Sequence, residues 1–165
     1  MDDERQADRA ALQELKARYF RFLDTKQWAS WRALFTDDMV FFNDEAAIPT
    51  STEPMTSGGD DFVEMVSSVL ANAVTVHQGH MPELRFVDER NATGVWAMFD
   101  WVDSSGSDGG SSMQGFGHYH EQYRKGDDGQ WRIAELRLTR LRVDSSPPTG
   151  AVTNVAPWTR SVSAG

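Results

Sequence analysis

The apolar residues of the N-terminal third recur at spacings of three and four, which is the pattern of a one-sided amphipathic helix. They predict a first helix from Ala7 to about Leu23, with an apolar face formed by Leu12, Leu15, Tyr19, Phe22 and Leu23. After a polar break at 24–27 the helical spacing continues, so we expect a second, short helix that includes Trp28, Trp31, Leu34 and Phe35.

The next segment combines a strand, a loop and a third helix. Met39 to Asn43 has the character of a strand, and the stretch 46–59, rich in Pro, Ser, Thr and Gly, is typical of a loop. Ser57, followed three residues later by Asp60, resembles a helix capping box. The apolar stripe beyond it predicts a helix that carries Phe62, Met65, Val66, Val69 and Leu70.

Beyond Ala73 the period changes from helical to alternating, which indicates strands. We predict five of them, at Val74–His80, Glu83–Asp88, Ala92–Asp103, Met113–Lys125 and Gln130–Val143. A hairpin turn at 126–129 and a flexible loop at 104–112 separate the later ones. The predicted fold is α+β, with a curved, antiparallel meander folded over the preceding helices.

The length and composition narrow the class of protein. A chain of 165 residues predicts one domain, which we place at 1–144, followed by an irregular tail at 145–165 that Trp158 could tie down. The net charge of −9, without a run of Lys or Arg, argues against nucleic-acid binding. The absence of cysteine excludes disulfides, thiolate nucleophiles and Cys-ligated metals. The N-terminus lacks the features of a signal peptide and no run of 18 apolar residues occurs, so we expect a cytoplasmic protein with no membrane partner.

Three residues are candidates for proton chemistry. His77 lies in an alternating segment, and histidine is the side chain best suited to exchange protons near neutral pH, although a lone strand histidine is more often structural. Asp24 ends the first helix, where the helix dipole disfavours a negative charge, so it is either an exposed terminal residue or the partner of a histidine. Asp100 interrupts an apolar strand face, which places it at the end of the buried segment or opposite a polar partner.

Other candidates have weaker patterns. His118 and His120 share a strand face and could chelate a metal, but no third ligand has a diagnostic spacing, so we favour pocket-lining or packing histidines. Arg140 follows an apolar run and could hold a substrate carbonyl or carboxylate, or form a surface salt bridge. Motifs for nicotinamide, nucleoside triphosphate and serine-hydrolase chemistry do not occur.

Five segments together resemble a known family. They are Tyr19–Trp28, His77–His80, Gly94–Trp101, Gly117–Glu121 and Trp131–Ala134. In order and spacing they are similar to the SnoaL-like group of the nuclear transport factor 2-like superfamily, over about residues 8–144. The resemblance implies an α+β cone whose curved sheet and three helices enclose a single deep pocket.

Within that superfamily the chain resembles lyases of the scytalone dehydratase and bile-acid 7α-dehydratase type. In these enzymes a histidine paired with an aspartate takes a proton from carbon while a leaving group departs. The resemblance implies catalytic roles for His77, Asp24 and Tyr19. It also implies substrate-binding roles for Asp100 and Arg140, and as further pocket residues we expect Trp101, Phe116 and His118.

The expected function is therefore a dehydratase that needs no cofactor and acts on a small hydrophobic ring-containing substrate. Leu23 replaces a tyrosine that scytalone dehydratase has at that position, so its substrate is not carried over. A steroid or polyketide isomerase or cyclase with the same dyad is an alternative, and a non-catalytic binding or assembly module is another. We expect a homo-oligomer, with a trimer favoured over a dimer.

Overall fold

The computed structural model describes residues 2–104 and 110–146, and these residues form three helices and six strands. The helices are α1 (Asp2–Asp24), α2 (Trp28–Arg32) and α3 (Gly59–Leu70). The strands are β1 (Phe35–Asp44), β2 (Thr56–Ser57), β3 (Val74–Phe86), β4 (Asn91–Asp103), β5 (Ser112–Lys125) and β6 (Trp131–Ser146).

All six strands form one mixed sheet in the order β2-β1-β6-β5-β4-β3. Strands β3 to β6 form an antiparallel meander, as the alternating pattern predicts. The exception is β1, which pairs parallel with β6, so that the first long strand of the chain lies beside the last. The α+β prediction is confirmed.

Helix α1 packs along the sheet because its apolar stripe matches the helical period. Its four buried apolar residues are Leu12, Leu15, Tyr19 and Leu23. The helix begins at Asp2, earlier than its apolar stripe predicts. This extra turn has its own anchor, since the guanidinium groups of Arg5 and Arg9 lie over the ring of Phe86 at the end of β3.

Two predictions about the middle of the chain are wrong. The second helix ends at Arg32, because Leu34 and Phe35 already pair with β6: the amide of Ile133 donates to the carbonyl of Leu34 at 2.9 Å. The capping box does not form, because Ser57 lies in β2, where it pairs with β1. Helix α3 instead has Gly58 as its N-cap, in a positive-φ conformation (φ 108°) that favours glycine.

The two strands predicted at 74–80 and 83–88 are one continuous strand, β3, which ends at Phe86. Its pairing with β4 is irregular between His80 and Glu83, and Met81 there has a positive φ of 33°. This irregularity interrupts the alternation in sequence without ending the strand, which is the usual effect of a bulge.

The sheet has one face against the helices, here called the inner face, and one face turned away from them, the outer face. Along β4 the inner residues are Ala92, Gly94, Trp96, Met98 and Asp100, all buried. Along β5 the inner residues are Gly115, Gly117, Tyr119, Glu121 and Tyr123, also buried. The core lies between this inner face and the helices.

Two sequence expectations lie mainly outside the described residues. Strand β6 continues to Ser146, two residues beyond the predicted end of the domain, while the rest of the tail, with Trp158, is not described. The same holds for 105–109 in the predicted flexible loop. Among the helices formed by residues 2–104 and 110–146, none has the length and apolar character needed to cross a lipid bilayer.

Candidate active site

A histidine and an aspartate, 53 positions apart in the chain, meet where α1 ends against β3. Nδ1 of His77 lies 2.6 Å from Oδ1 of Asp24, and the His77 backbone amide donates to Oδ2 at 2.9 Å. His77 is on the inner face of β3 and is 8% exposed. Its position relative to the sheet is fixed by its register partner on β4, Asp100.

The carboxylate of Asp24 determines which nitrogen of His77 is available. A carboxylate only accepts hydrogen bonds, so the neutral ring places its proton on Nδ1 and leaves the lone pair of Nε2 unprotonated. The hydroxyl of Thr75 also donates to Oδ1 of Asp24, at 2.9 Å. Asp24 is therefore held by three donors, and His77 has the tautomer that a general base requires.

A second buried charged pair lies on the inner face near the dyad. Asp100 and Arg140 form two parallel hydrogen bonds, each of 2.8 Å, between β4 and β6. Gly115 of β5 lies between them, and a Cβ there would be 2.1 Å from both Oδ1 of Asp100 and Nη1 of Arg140. The absence of a side chain at this position is thus what lets the two charged groups meet.

Two buried tyrosines contribute phenol groups to the same region. Tyr19 of α1 and Tyr119 of β5 have ring centroids 6.0 Å apart. Burial raises the pKa of both phenols, with contributions from the charges of Asp24 and Asp100. Both rings stay protonated at neutral pH, so each hydroxyl is a hydrogen-bond donor.

A buried ion pair lies beneath these phenols. The ammonium of Lys16, on α1, contacts the carboxylate of Glu121, which also accepts a hydrogen bond from Tyr123. The ammonium lies 4.1 Å from the ring centroid of Tyr19 and 3.7 Å from that of Tyr119. These are cation–π distances, so the pair fixes the orientation of both rings.

Eight residues were predicted for the site from the sequence. Five of them lie on the side of the sheet that carries the dyad, and three lie on the opposite face. His77, Asp24, Tyr19, Asp100 and Arg140 lie on α1 or on the inner face of the sheet. The other three lie on the outer face, since their side chains alternate with inner residues of β4 and β5; they are Trp101, Phe116 and His118. A ligand bound against His77 would not contact them within one chain.

His118 and His120 are both on this outer face, with ring centroids 6.2 Å apart. Nε2 of His120 forms a hydrogen bond of 3.2 Å with the hydroxyl of the buried Thr139. Over residues 2–104 and 110–146, no group of three or more His, Asp or Glu side chains is placed to bind a metal ion.

Three residues near the dyad were not predicted for the site from the sequence, although their positions along the strands place them on its side of the sheet. Thr75 lies on the same face of β3 as His77, and Gly115 and Tyr119 lie on the same face of the sheet as Asp100.

A cleft of about 480 Å³ lies away from the dyad, at the N-terminal end of α1, and is lined by Arg5, Arg90 and other charged residues. It does not include the dyad, so the deep pocket beside His77 remains a prediction.

Comparisons with known proteins fit this geometry. The SnoaL-like domain family matches residues 4–137. A relative named Probable cyclase FGR4, from Gibberella zeae, is 28% identical over 137 residues, which cover 80% of this chain and 90% of that protein.

Two solved structures share the fold. The hexachlorocyclohexane dehydrochlorinase LinA type 2 superposes with a TM-score of 0.73 at 20% identity, over 96% of this chain and 99% of that one. A candidate scytalone dehydratase from Novosphingobium aromaticivorans superposes with a TM-score of 0.72 at 19% identity, over 97% and 99%.

Proposed function

The chain belongs to the SnoaL-like domain family, as its sequence resemblance predicts, and on that premise we propose that it is a cofactor-independent lyase. The reaction proposed is the elimination of water from a hydrophobic ring ketone, with His77 as the general base. The observation that carries the proposal is the 2.6 Å contact between Nδ1 of His77 and Asp24, which leaves Nε2 as the basic nitrogen.

In the proposed reaction the substrate carries a hydroxyl on the carbon β to its carbonyl. Nε2 of His77 takes a proton from the α carbon, and the electrons of that C–H bond form an enolate whose oxygen accepts a hydrogen bond from Tyr19. The enolate electrons then form the C=C bond while the C–O bond breaks. The imidazolium returns its proton to the departing hydroxyl, so the products are an enone and water, and His77 is neutral again.

Each neighbour of the dyad has a proposed part in this cycle. Asp24 offsets the positive charge that His77 acquires while it holds the proton. Arg140 has five N–H donors and uses two of them on Asp100, so others remain to orient a substrate oxygen. Tyr119 offers a second phenol donor beside that of Tyr19.

The relatives support this range of chemistry. One is named a cyclase, and a structural neighbour is named a dehydrochlorinase, which removes a leaving group other than hydroxyl. The cyclase supports a second candidate function, a ring-forming or isomerising enzyme that uses the same dyad. A non-catalytic binding module is less well supported, because such a protein has no need of the Asp24–His77 contact.

The formation of a homo-oligomer, with a trimer favoured over a dimer, remains a prediction.

The test compares two histidines of the same strand. His77→Ala should lower turnover of a β-hydroxy ring ketone by about 100-fold or more, since general bases contribute roughly that much. Binding of the substrate should change by less than about tenfold. The control is His80→Ala, which removes an exposed histidine of β3 and should leave turnover unchanged.

Mass spectrometry of the product separates the two candidate functions. Loss of one water indicates the lyase, whereas a product of unchanged mass with a shifted double bond or a new ring bond indicates the isomerase or cyclase. If His77→Ala turns over as fast as the unchanged protein, both functions are excluded together with the role of the dyad.

A further inference from the structure

A lysine occupies the turn that ends α1, at a position where glycine is usual. The amide of Lys26 donates to the carbonyl of Leu23 at 3.2 Å, and the amide of Gln27 donates to the carbonyl of Phe22 at 2.8 Å. These two bonds form a Schellman motif, in which the residue at the position of Lys26 has a left-handed backbone. Lys26 has this conformation, with φ at 58°.

The left-handed conformation is costly for any residue with a Cβ, and glycine avoids the cost. Nothing in the backbone of this turn requires a lysine, because both hydrogen bonds are made by main-chain atoms. A strained residue that glycine could replace is therefore a reason to look for a role of the side chain.

The side chain of Lys26 leads back to the dyad. Its ammonium donates a hydrogen bond of 2.8 Å to the hydroxyl of Thr75, which is 5% exposed. The Thr75 hydroxyl in turn donates to Oδ1 of Asp24 at 2.9 Å. Because an ammonium can only donate, Thr75 must accept from Lys26 and use its own hydrogen for Asp24. The chain of hydrogen bonds from Lys26 to Asp24 thus has a single direction.

We propose that Lys26 is a positioning residue for the dyad, acting through Thr75. It orients the Thr75 hydroxyl toward Asp24, and its positive charge offsets part of the negative charge beside the His77 ring. The catalytic part of this role rests on the proposed function.

The charges around His77 show why the lysine matters. Asp24 and Lys26 lie on one side of the ring, while Asp100 lies across from it on β4 with its partner Arg140 from β6. The phenols of Tyr19 and Tyr119 in the same region are neutral, and the Lys16–Glu121 pair beneath them carries one charge of each sign. Two negative and two positive groups balance, so loss of the lysine leaves one net negative charge beside the imidazole. That charge would stabilise the imidazolium.

The direct test is an NMR titration of the His77 ring, which needs no substrate. Lys26→Gly should move the midpoint of this titration upward by about half a pH unit or more, because an opposing positive charge is lost. Lys26→Met should do the same with the strained backbone retained. Lys26→Arg keeps the charge and should give a midpoint close to that of the unchanged protein.

A matched control removes a positive charge from the same end of α1. Arg21 is exposed in the last helical turn and does not contact the dyad through its side chain, so Arg21→Ala should leave the His77 midpoint unchanged. The inference is overturned if Lys26→Gly and Lys26→Met titrate like Arg21→Ala.

Measurements of stability and of kinetics distinguish a positioning role of Lys26 from a purely structural one. Lys26→Gly should unfold at the same or a higher urea concentration, since glycine suits the left-handed turn. It should nevertheless shift the acid limb of kcat/KM upward by the same amount as the NMR midpoint, with an unchanged KM.

The two proposals fail in different ways. A shifted His77 midpoint in a protein that does not turn over any ring ketone supports the positioning role and contradicts the proposed function. Turnover that depends on His77, together with an unshifted midpoint in Lys26→Gly, contradicts the positioning role alone.

Discussion

Asp24 is a residue held where its charge is locally unfavourable. It lies at the C-terminal end of α1, where the helix dipole opposes a negative charge. Three donors offset this cost, from the backbone and ring of His77 and from Thr75. A side chain that is disfavoured by its own element and supported by another is typical of a functional site rather than of a stabilising contact.

Asp24→Asn tests this arrangement with almost no change of shape. The asparagine amide would donate to Nδ1 of His77, so the ring would carry its proton on Nε2 and lose its basic nitrogen. We expect turnover to fall by about 10³- to 10⁴-fold, by analogy with the same change in other histidine–carboxylate pairs. Nitrogen NMR should show the exchanged tautomer, and a ring still protonated on Nδ1 would contradict the explanation.

The sequence alone could nominate single residues of the site but could not pair them. The alternating pattern shows that His77 and Asp100 each lie on a particular face of a strand, and the register confirms that they are opposite each other. The partnership of Asp24 and His77 came from the family resemblance, because no local pattern links positions 53 residues apart. Thr75 and Lys26 were overlooked since both are common in unremarkable strands and turns.

At the scale of elements, α1 does more than cover the sheet. It carries Lys16, which is fully buried among aromatic rings and pairs with Glu121 of β5. Burial lowers the pKa of the Lys16 ammonium, whereas the charge of Glu121 acts in the opposite direction. A buried ion pair of this kind adds little net stability, but it cannot lose one member without leaving a bare charge in the core.

Lys16→Met should therefore lower the free energy of unfolding by about 3–5 kcal/mol, because Glu121 would remain buried without its partner. The double variant Lys16→Met with Glu121→Gln should recover part of that loss. Urea denaturation measures both.

Arg18→Ala provides the comparison on the same helix. Arg18 forms an exposed ion pair with Glu14, one helical turn away, and such pairs contribute about 0.5 kcal/mol or less. An equal loss of stability in Lys16→Met and Arg18→Ala would contradict the role given to the buried pair.

Whether a segment is a helix or a strand was predictable from the sequence where a regular apolar pattern extends over many residues. It was not predictable where pairing with a distant strand determines the structure. Helix α1, with its apolar stripe, and strands β4 and β5, with their long alternating patterns, were predictable in this way. The end of α2 was misplaced, since Phe35 has helical spacing but pairs with Ile133 of β6. No pattern within residues 28–35 contains that information.

At the scale of the whole molecule, Asp44 ties three parts of the chain together. It ends β1 and is 1% exposed. It accepts hydrogen bonds from the backbone amides of Thr50 and Ser51 in the following loop, at 3.1 and 2.6 Å, and from Arg137 of β6 at 2.9 Å. Burial alone would raise the pKa of Asp44, but these donors outweigh it and hold the pKa well below its usual value.

This lowered pKa makes the fold sensitive to acid in a defined direction. The folded protein binds a proton at Asp44 less readily than the unfolded chain, so the carboxylate stabilises the fold above the unfolded pKa of about 3.9. The contribution is lost as pH falls below that value toward the folded pKa. The difference in unfolding free energy between the unchanged protein and Asp44→Asn should be constant above about pH 5 and shrink toward pH 2.

Urea denaturation at a series of pH values checks this prediction. Glu64→Gln, which removes an exposed carboxylate of α3, is the control and should show a much smaller pH dependence. A difference for Asp44→Asn that does not change between pH 7 and pH 2 would rule out Asp44 as a source of acid sensitivity.

The parallel pairing of β1 with β6 also constrains the order in which the chain can fold. Apart from a two-residue pairing with β2, the strand from Phe35 to Asp44 pairs with residues 133–139, about a hundred positions later. As the polypeptide leaves the ribosome, its N-terminal half therefore lacks the strand that completes its core, and contacts of such long range form slowly. Nascent chains that end before Trp131 should stay protease-sensitive and dependent on chaperones, and the dyad should be assembled only after synthesis is almost complete.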